Sequence, residues 1–158
     1  MDAGEFDEDE FFRALFTSGA RVLLIGRQAL IALGLPVLTA DYDLWIAFED
    51  IERVNASVDA LGFAPNRTPE EARRAGRYVL ENSEHVDVLI ARSVSTVQAV
   101  PVAFEDVWSR RQTASFRPGV DVALPSIDDL ILTKLFGARQ RDLADISLLE
   151  SLKRRGGA

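Results

Sequence analysis

The chain has 158 residues, of which 47% are hydrophobic and 27% charged, a composition able to bury the core of a globular domain. Its net charge of −7 argues against a protein that coats nucleic acid through its overall field, and the lack of cysteine excludes disulfides and thiolate metal sites. No apolar run is long enough to cross a bilayer, and the first ten residues are acidic rather than a basic leader, so we expect no membrane contact and a cytoplasmic protein.

The first third of the chain predicts two helices and two strands. Asp7 is placed to cap a first helix, whose apolar stripe has helical spacing. Residues 21–25 read as a short buried strand, after which Gly26 makes a turn into a helix over residues 28–33. Residues 41–48 are rich in aromatic and branched side chains and predict the next strand.

The middle third predicts two helices followed by a hairpin. Residues 50–61 carry apolar side chains at helical spacing. The run from Thr68 to Glu71 is a capping box with proline at the first helical position, which predicts a short helix to about Ala75. Residues 77–81 and 86–90 then read as two strands joined by a tight turn.

The last third predicts mostly helix. We expect a helix around residues 104–111, a strand around 120–124, a helix capped at Ser126, and a final helix over 142–152. This order of elements indicates the α/β (α+β) class, with a β-sheet of mixed direction covered by helices.

The length and the lack of a linker predict one domain over residues 1–158. We expect its core in residues 20–92 and a helical C-terminal part in residues 104–155.

Three acidic residues lie among apolar neighbours. Asp41 and Asp43 are two residues apart on a predicted strand, so their side chains share one face. Two carboxylates held together repel unless a cation neutralises them, and Asp87 on the hairpin completes an all-oxygen site suited to Mg²⁺. The pattern therefore indicates phosphoryl transfer. A structural role stays open for two of them: Asp41 could cap a turn, and Asp87 could lie on the polar face of a half-exposed strand.

These residues resemble the nucleotidyltransferase superfamily that shares the DNA polymerase β-type palm. The pattern of that superfamily is a glycine at a strand-to-helix turn, Asp-x-Asp on the next strand and a third acid on a later strand. Here the glycine is in Gly26-Arg27, the pair is Asp41-Tyr42-Asp43 and the third acid is Asp87. Together with the series from Asp129 to Ile146, the chain looks most like the small bacterial minimal nucleotidyltransferases and the AbiEii-type toxins.

The resemblance implies a palm fold and a metal-dependent enzyme. The implied reaction transfers a nucleoside monophosphate from an NTP, such as ATP, to a hydroxyl of RNA, a protein or a small molecule, with Mg²⁺ or Mn²⁺ as cofactor. It also implies a toxin–antitoxin or phage-defence system, in which a partner protein would accompany the chain.

The resemblance also implies roles for individual residues. Asp41, Asp43 and Asp87 would hold the metal ions, and Lys134 would reach the β- or γ-phosphate as a point charge. Gly26 and the amides that follow it would hold phosphate oxygens. Three further cations are candidates for the triphosphate or the acceptor, namely Arg27, Arg77 and Arg141.

Arg27 departs from the family pattern, which has a small residue at this position. Its guanidinium could hold a phosphate or block the pocket. Two other functions therefore stay open: a catalytically degenerate protein that binds a nucleotide or a partner protein, and a plain interaction domain with a structural acidic face.

Several single residues also have two interpretations. Lys134 could be a solvent residue. Asp145 could be a neighbour of a helix end, or it could position the acceptor or Lys134. Trp45 could stack on a base or pack in the core.

Overall fold

A five-stranded sheet organises the computed structural model, which describes residues 6–156. Its strands stand in the order β1-β2-β5-β4-β3. They are β1 (Val22–Ile25), β2 (Tyr42–Ile46), β3 (Ala64–Pro65), β4 (Arg77–Glu81) and β5 (His85–Leu89). β2 and β5 pair in parallel and the other pairs are antiparallel, so the predicted mixed sheet and the predicted hairpin are confirmed.

Two smaller hairpins follow this sheet in the chain. They are formed by β6 (Ser93–Ser95) with β7 (Pro101–Ala103), and by β8 (Gln112–Arg117) with β9 (Val120–Leu124). The predicted C-terminal part thus contains more β-structure than expected, because β8 was not foreseen. Its half-buried side presents Gln112, Ala114 and Phe116, so only two apolar residues alternate with exposed polar ones, which is too short a pattern to indicate a strand.

The helices lie where the apolar periodicity and the capping residues predict them. They are α1 (Glu8–Phe16), α2 (Gly26–Ala32), α3 (Ile51–Asp59), α4 (Pro69–Ala75), α5 (Phe104–Ser109), α6 (Ile127–Lys134) and α7 (Gln140–Arg154). Asp7, Thr68 and Ser126 each accept a hydrogen bond from a backbone amide of the helix they precede, which confirms all three caps. No helix in residues 6–156 is long and apolar enough to cross a membrane.

The two faces of the sheet bury different clusters. Tyr42, Leu44 and Ile46 of β2 point into the larger core, which contains side chains of α1, α2, α3, β9 and α6. Each fully buried aliphatic or aromatic side chain there contributes about 1.5–3 kcal/mol of transfer free energy. Trp45 points to the other face, into a smaller cluster that also contains Phe104. Asp43, two residues before Trp45 on the same strand, lies on this second face.

Candidate active site

Asp43 is at the centre of the candidate site because of its register in the sheet. It pairs with Ile25 of β1 on one side and with Asp87 of β5 on the other. Parallel neighbours in register present their side chains to the same face, so the two carboxylates lie side by side. Asp41 precedes β2; its amide donates to Thr39 Oγ1 (3.0 Å), and its carbonyl accepts from Nε2 of the buried Gln28 (3.2 Å).

Gly26, the first residue of α2, lies directly beside the carboxylate of Asp43. Its φ of +70° lies in the left-handed region, where a side chain is strained. A Cβ on Gly26 would also lie 2.5 Å from Oδ2 of Asp43, closer than Cβ contacts occur in proteins. Glycine is therefore required at this position, both for the left-handed backbone conformation and because no room exists for a side chain. Its absence of a side chain lets the backbone approach Asp43.

The carboxyl group of Asp43 is held in an environment that disfavours its charge. Burial raises its pKa to about 6, with further contributions from the negative charges of Asp87 and Asp41. Lys134 and Arg141 act in the opposite direction but do not cancel this rise. A carboxylate with such a pKa in a cleft is typical of a functional site.

Two cavities meet at Asp43. The smaller one, of about 140 Å³, contains Gly26, Arg27, Asp41, Lys134 and Arg141 in its wall. The larger one, of about 530 Å³, opens on the Asp87 side. The predicted site residues are therefore gathered around one aspartate, but they are divided between two spaces, and Arg77 lies in the wall of the larger one.

Lys134 is held by an acid that the sequence left with two interpretations. Its Nζ lies 2.8 Å from Oδ2 of Asp145, and the two side chains are only 7% and 1% exposed. The solvent role considered for Lys134 is therefore wrong, and Asp145 positions it. Arg27 shares the same acid: its Nε and Nη2 donate to Oδ2 (3.1 Å) and Oδ1 (3.2 Å) of Asp145, and its Nη1 donates to the carbonyl of Leu38.

Asp145 is charged in this cluster. Burial alone would raise its pKa, but the hydrogen bonds from Arg27 and Lys134 outweigh that effect and hold the pKa below its ordinary value. The cluster of two cations and one anion retains one positive charge at the wall of the smaller cavity. The hydrogen bonds of Arg27 to Asp145 and Leu38 therefore hold its side chain at the wall of the smaller cavity.

Two arginines at the start of α7 complete the wall of the smaller cavity. Nη1 of Arg141 lies 4.0 Å from Oδ2 of Asp41. Arg139, which the sequence did not single out as a site residue, borders both cavities and donates from its Nε to Oδ2 of Asp142 (3.1 Å). Its place at the start of a helix, three residues before an acid, would have indicated only a cap.

The acidic residues offer the oxygen ligands that a hard divalent cation prefers, but they do not form a complete metal site in their present orientations. Within residues 6–156, no three His, Asp or Glu side chains form a group that could hold a metal ion in their present orientations. Asp41 faces Arg141, and Oδ1 of Asp87 is 3.3 Å from His85 Nε2. Both carboxylates nevertheless act on the pKa of Asp43, and oxygen-only donors are those that Mg²⁺ and Mn²⁺ prefer.

Trp45 does not belong to the site. Its side chain is fully buried between Phe104 and Phe136, and its Nε1 donates to the carbonyl of Ala91 (2.9 Å). The role considered for it in stacking on a base is therefore wrong, and core packing is confirmed.

Solved structures with the same fold include an adenylyltransferase and a protein described as a nucleotidyltransferase. The lincosamide antibiotic adenylyltransferase LnuA, bound to lincomycin, has 15% identity and a TM-score of 0.62 over 92% of this chain and 98% of its own. The antibiotic-resistance factor ANT(2'')-Ia has 15% identity and a TM-score of 0.61 over 89% and 78%. A Thermotoga maritima protein, provisionally described as a nucleotidyltransferase, has 12% identity and a TM-score of 0.59 over 92% and 87%. No protein-family description and no curated sequence matches the chain. At these identities the similarity is one of fold.

Proposed function

Because the chain has the nucleotidyltransferase fold, we propose that it transfers a nucleoside monophosphate from an NTP to a hydroxyl group and releases pyrophosphate. One observation carries the proposal. Asp43 lies in register with Asp87 while its carboxylate fills the space that a side chain on Gly26 would occupy. The acidic side chains and the backbone of Gly26, which carries no side chain, therefore lie together where the two cavities adjoin.

Asp41, Asp43 and Asp87 would hold the divalent cation. Bound there, Mg²⁺ or Mn²⁺ would neutralise the carboxylates and stabilise negative charge on the attacking and leaving oxygens. The pKa of Asp43 supports this role, because an acid that is costly to ionise without a partner gains most from a cation.

The cationic wall of the smaller cavity suits the triphosphate. Lys134 and Arg27 share one counter-ion, Asp145, so one of their charges is available to phosphate oxygens. Arg141 adds a second positive charge in the same wall, and Gly26 lets the backbone approach the phosphates. These residues would hold the leaving pyrophosphate in place.

The transfer itself is an in-line displacement at the α-phosphorus. The acceptor oxygen forms a bond to the α-phosphorus, while the bond from that phosphorus to the α–β bridging oxygen breaks and pyrophosphate leaves with the electron pair. The hydroxyl proton passes to Asp87, whose side chain is 58% exposed and can return it to solvent.

A combined binding and transfer experiment tests the proposal. The four NTPs are screened with Mg²⁺ and with Mn²⁺ for a rise in melting temperature. A ligand at one hundred times its Kd raises the free energy of unfolding by about 2.7 kcal/mol by mass action. NTP labelled at the α-phosphate should then pass its label to an acceptor, whereas label at the γ-phosphate should appear in pyrophosphate. The double variant Asp41→Asn, Asp43→Asn should lose both the metal-dependent shift and the transfer.

The outcomes separate the three functions that the sequence left open. A nucleotide-dependent shift without transfer, across RNA, protein and small-molecule acceptors, would identify a degenerate binding protein. No shift with any nucleotide or metal would identify an interaction domain. The toxin–antitoxin system stays a prediction of the sequence resemblance, tested by co-purification of a partner from the native host.

A further inference from the structure

We propose that the acceptor is a small hydroxyl compound carrying an anionic group, phosphate or carboxylate, and that Arg67 and Arg77 bind this group in the larger cavity. The inference rests on the proposed function and names the substrate class of the same site. It follows from the division of the site into two spaces, from the charges that line the larger one and from its size.

The larger cavity lies where the second substrate of a transfer reaction must lie. Both cavities contain Asp43, but Gly26 and Lys134 border only the smaller one, whereas Asp87 borders only the larger one. A triphosphate held against Gly26 and Lys134 would therefore leave the Asp87 side free. A hydroxyl compound in the larger cavity would approach the α-phosphate from that side.

Arg67 and Arg77 bring positive charge without a counter-ion. Within the part of the chain that the structure describes, neither side chain forms a salt bridge, and Arg67 donates only to the carbonyl of Arg77 (2.7 Å). Several other arginines of the described residues, such as Arg74, also form no salt bridge, but among these unpaired arginines only Arg67 and Arg77 line the larger cavity. A guanidinium at a cavity wall presents a fork of donors that matches a carboxylate or a phosphate.

The cavity also limits the size and shape of the acceptor. Its volume of about 530 Å³ is within the usual range of about 300–1,000 Å³ for small-ligand pockets. Val79, Leu89 and Phe136 add apolar side chains to its wall, suited to a carbon skeleton. A nucleic-acid strand fits this arrangement less well, because the chain has a net charge of −7 and would repel a long polyanion.

The test compares acceptors that differ only in charge. Protein with Mg²⁺ and α-labelled NTP is offered glycerol 3-phosphate with glycerol, glucose 6-phosphate with glucose, lactate with lactamide, and a short RNA with a free 3′-hydroxyl. We expect transfer to anionic members at least tenfold faster than to their neutral counterparts, and the phosphate and carboxylate pairs show which anion is preferred. Arg77→Gln should raise the KM of the anionic acceptor at least tenfold and leave the KM for NTP unchanged. Arg74→Gln removes an exposed arginine outside the cavity and should change neither value.

A binding measurement separates failure of this inference from failure of the proposed function. The same pairs are titrated by calorimetry into protein without NTP. If no label is transferred but the anionic members still bind tighter and Arg77→Gln weakens them, the charge inference stands and the transfer activity is refuted. Equal transfer to neutral and anionic members, or transfer to the RNA alone, overturns the inference while leaving the activity intact.

Discussion

Gly26 and Asp43 are packed so closely that a single methyl group on Gly26 would meet Oδ2 of Asp43 at 2.5 Å. The start of a helix and the middle of a strand therefore depend on each other at the point where the two cavities meet. This contact yields the first prediction.

Gly26→Ala should destabilise the protein by about 2–5 kcal/mol, from left-handed backbone strain of about 1–2 kcal/mol and overpacking against Asp43 of about 1–3 kcal/mol. Gly34→Ala is the matched control, because Gly34 has φ +83° with nothing within 4 Å of its Cβ position, so only the strain remains. Urea unfolding measures both. Equal losses in the two variants would show that the contact with Asp43 relaxes at no cost.

Asp43→Asn should stabilise the metal-free protein at pH 7 by on the order of 2–3 kcal/mol. The pKa of Asp43 in the folded protein, about 6, lies above the ordinary 3.8. Between these two pH values the native state keeps a proton that the unfolded chain has lost, and above them ionisation of Asp43 costs the native state more than the unfolded chain. Wild type therefore loses stability relative to the variant as pH rises from about 4 to about 6, and the difference vanishes below pH 4. Urea denaturation across this range measures it; a difference independent of pH would contradict the raised pKa.

Stabilisation of the wild-type protein by Mg²⁺ should grow as pH rises through about 6, since the cation and a proton compete for Asp43. At pH 5 the ion should raise the melting temperature little, and above pH 7 the rise should be complete. Asp43→Asn should remove this pH dependence. The measurement is a thermal-shift series at fixed Mg²⁺ between pH 5 and pH 8, and a flat response in wild type would argue against Asp43 as a ligand.

Asp145→Ala should cost about 3–5 kcal/mol, because it leaves the buried ammonium of Lys134 without its counter-ion. Arg27→Ala should cost less, since it keeps the pair of Asp145 and Lys134. The control is Asp128→Ala, which breaks an exposed pair with Lys153 and should cost about 0.2–1 kcal/mol. Chemical denaturation of all three variants tests the order, and a cost for Asp145→Ala no larger than that of the control would refute the role of this acid.

Arg141→Gln should leave stability nearly unchanged, because its contact with Asp41 is long, at 4.0 Å, and exposed. If the smaller cavity binds the triphosphate, the variant should weaken NTP binding about tenfold, equivalent to about 1.4 kcal/mol. Calorimetric titration of NTP with Mg²⁺ measures the loss. Arg154→Gln, an exposed arginine at the end of α7, should bind NTP like wild type.

The sequence by itself determined the helix caps and the hairpin, because these patterns depend on neighbours within a few residues. Thr68 and Glu71 close a capping box over three residues, whereas Asp41 precedes β2, so the strand alternation expected to place it on one face with Asp43 does not include it. The same local rules missed β8, whose short apolar alternation is interrupted by polar residues.

Only the tertiary structure decided which distant groups meet. The parallel pairing of β2 with β5 places Asp87 beside Asp43, and Asp145 reaches Arg27 across 118 residues of chain. Those contacts arise from the order of strands in the sheet and from the packing of α7. This packing buries charged groups, and a buried charge is costly unless an opposite charge pairs with it. No short-range pattern contains that information, so the counter-ion of Lys134, the burial of Trp45 and the division into two cavities emerged with the fold.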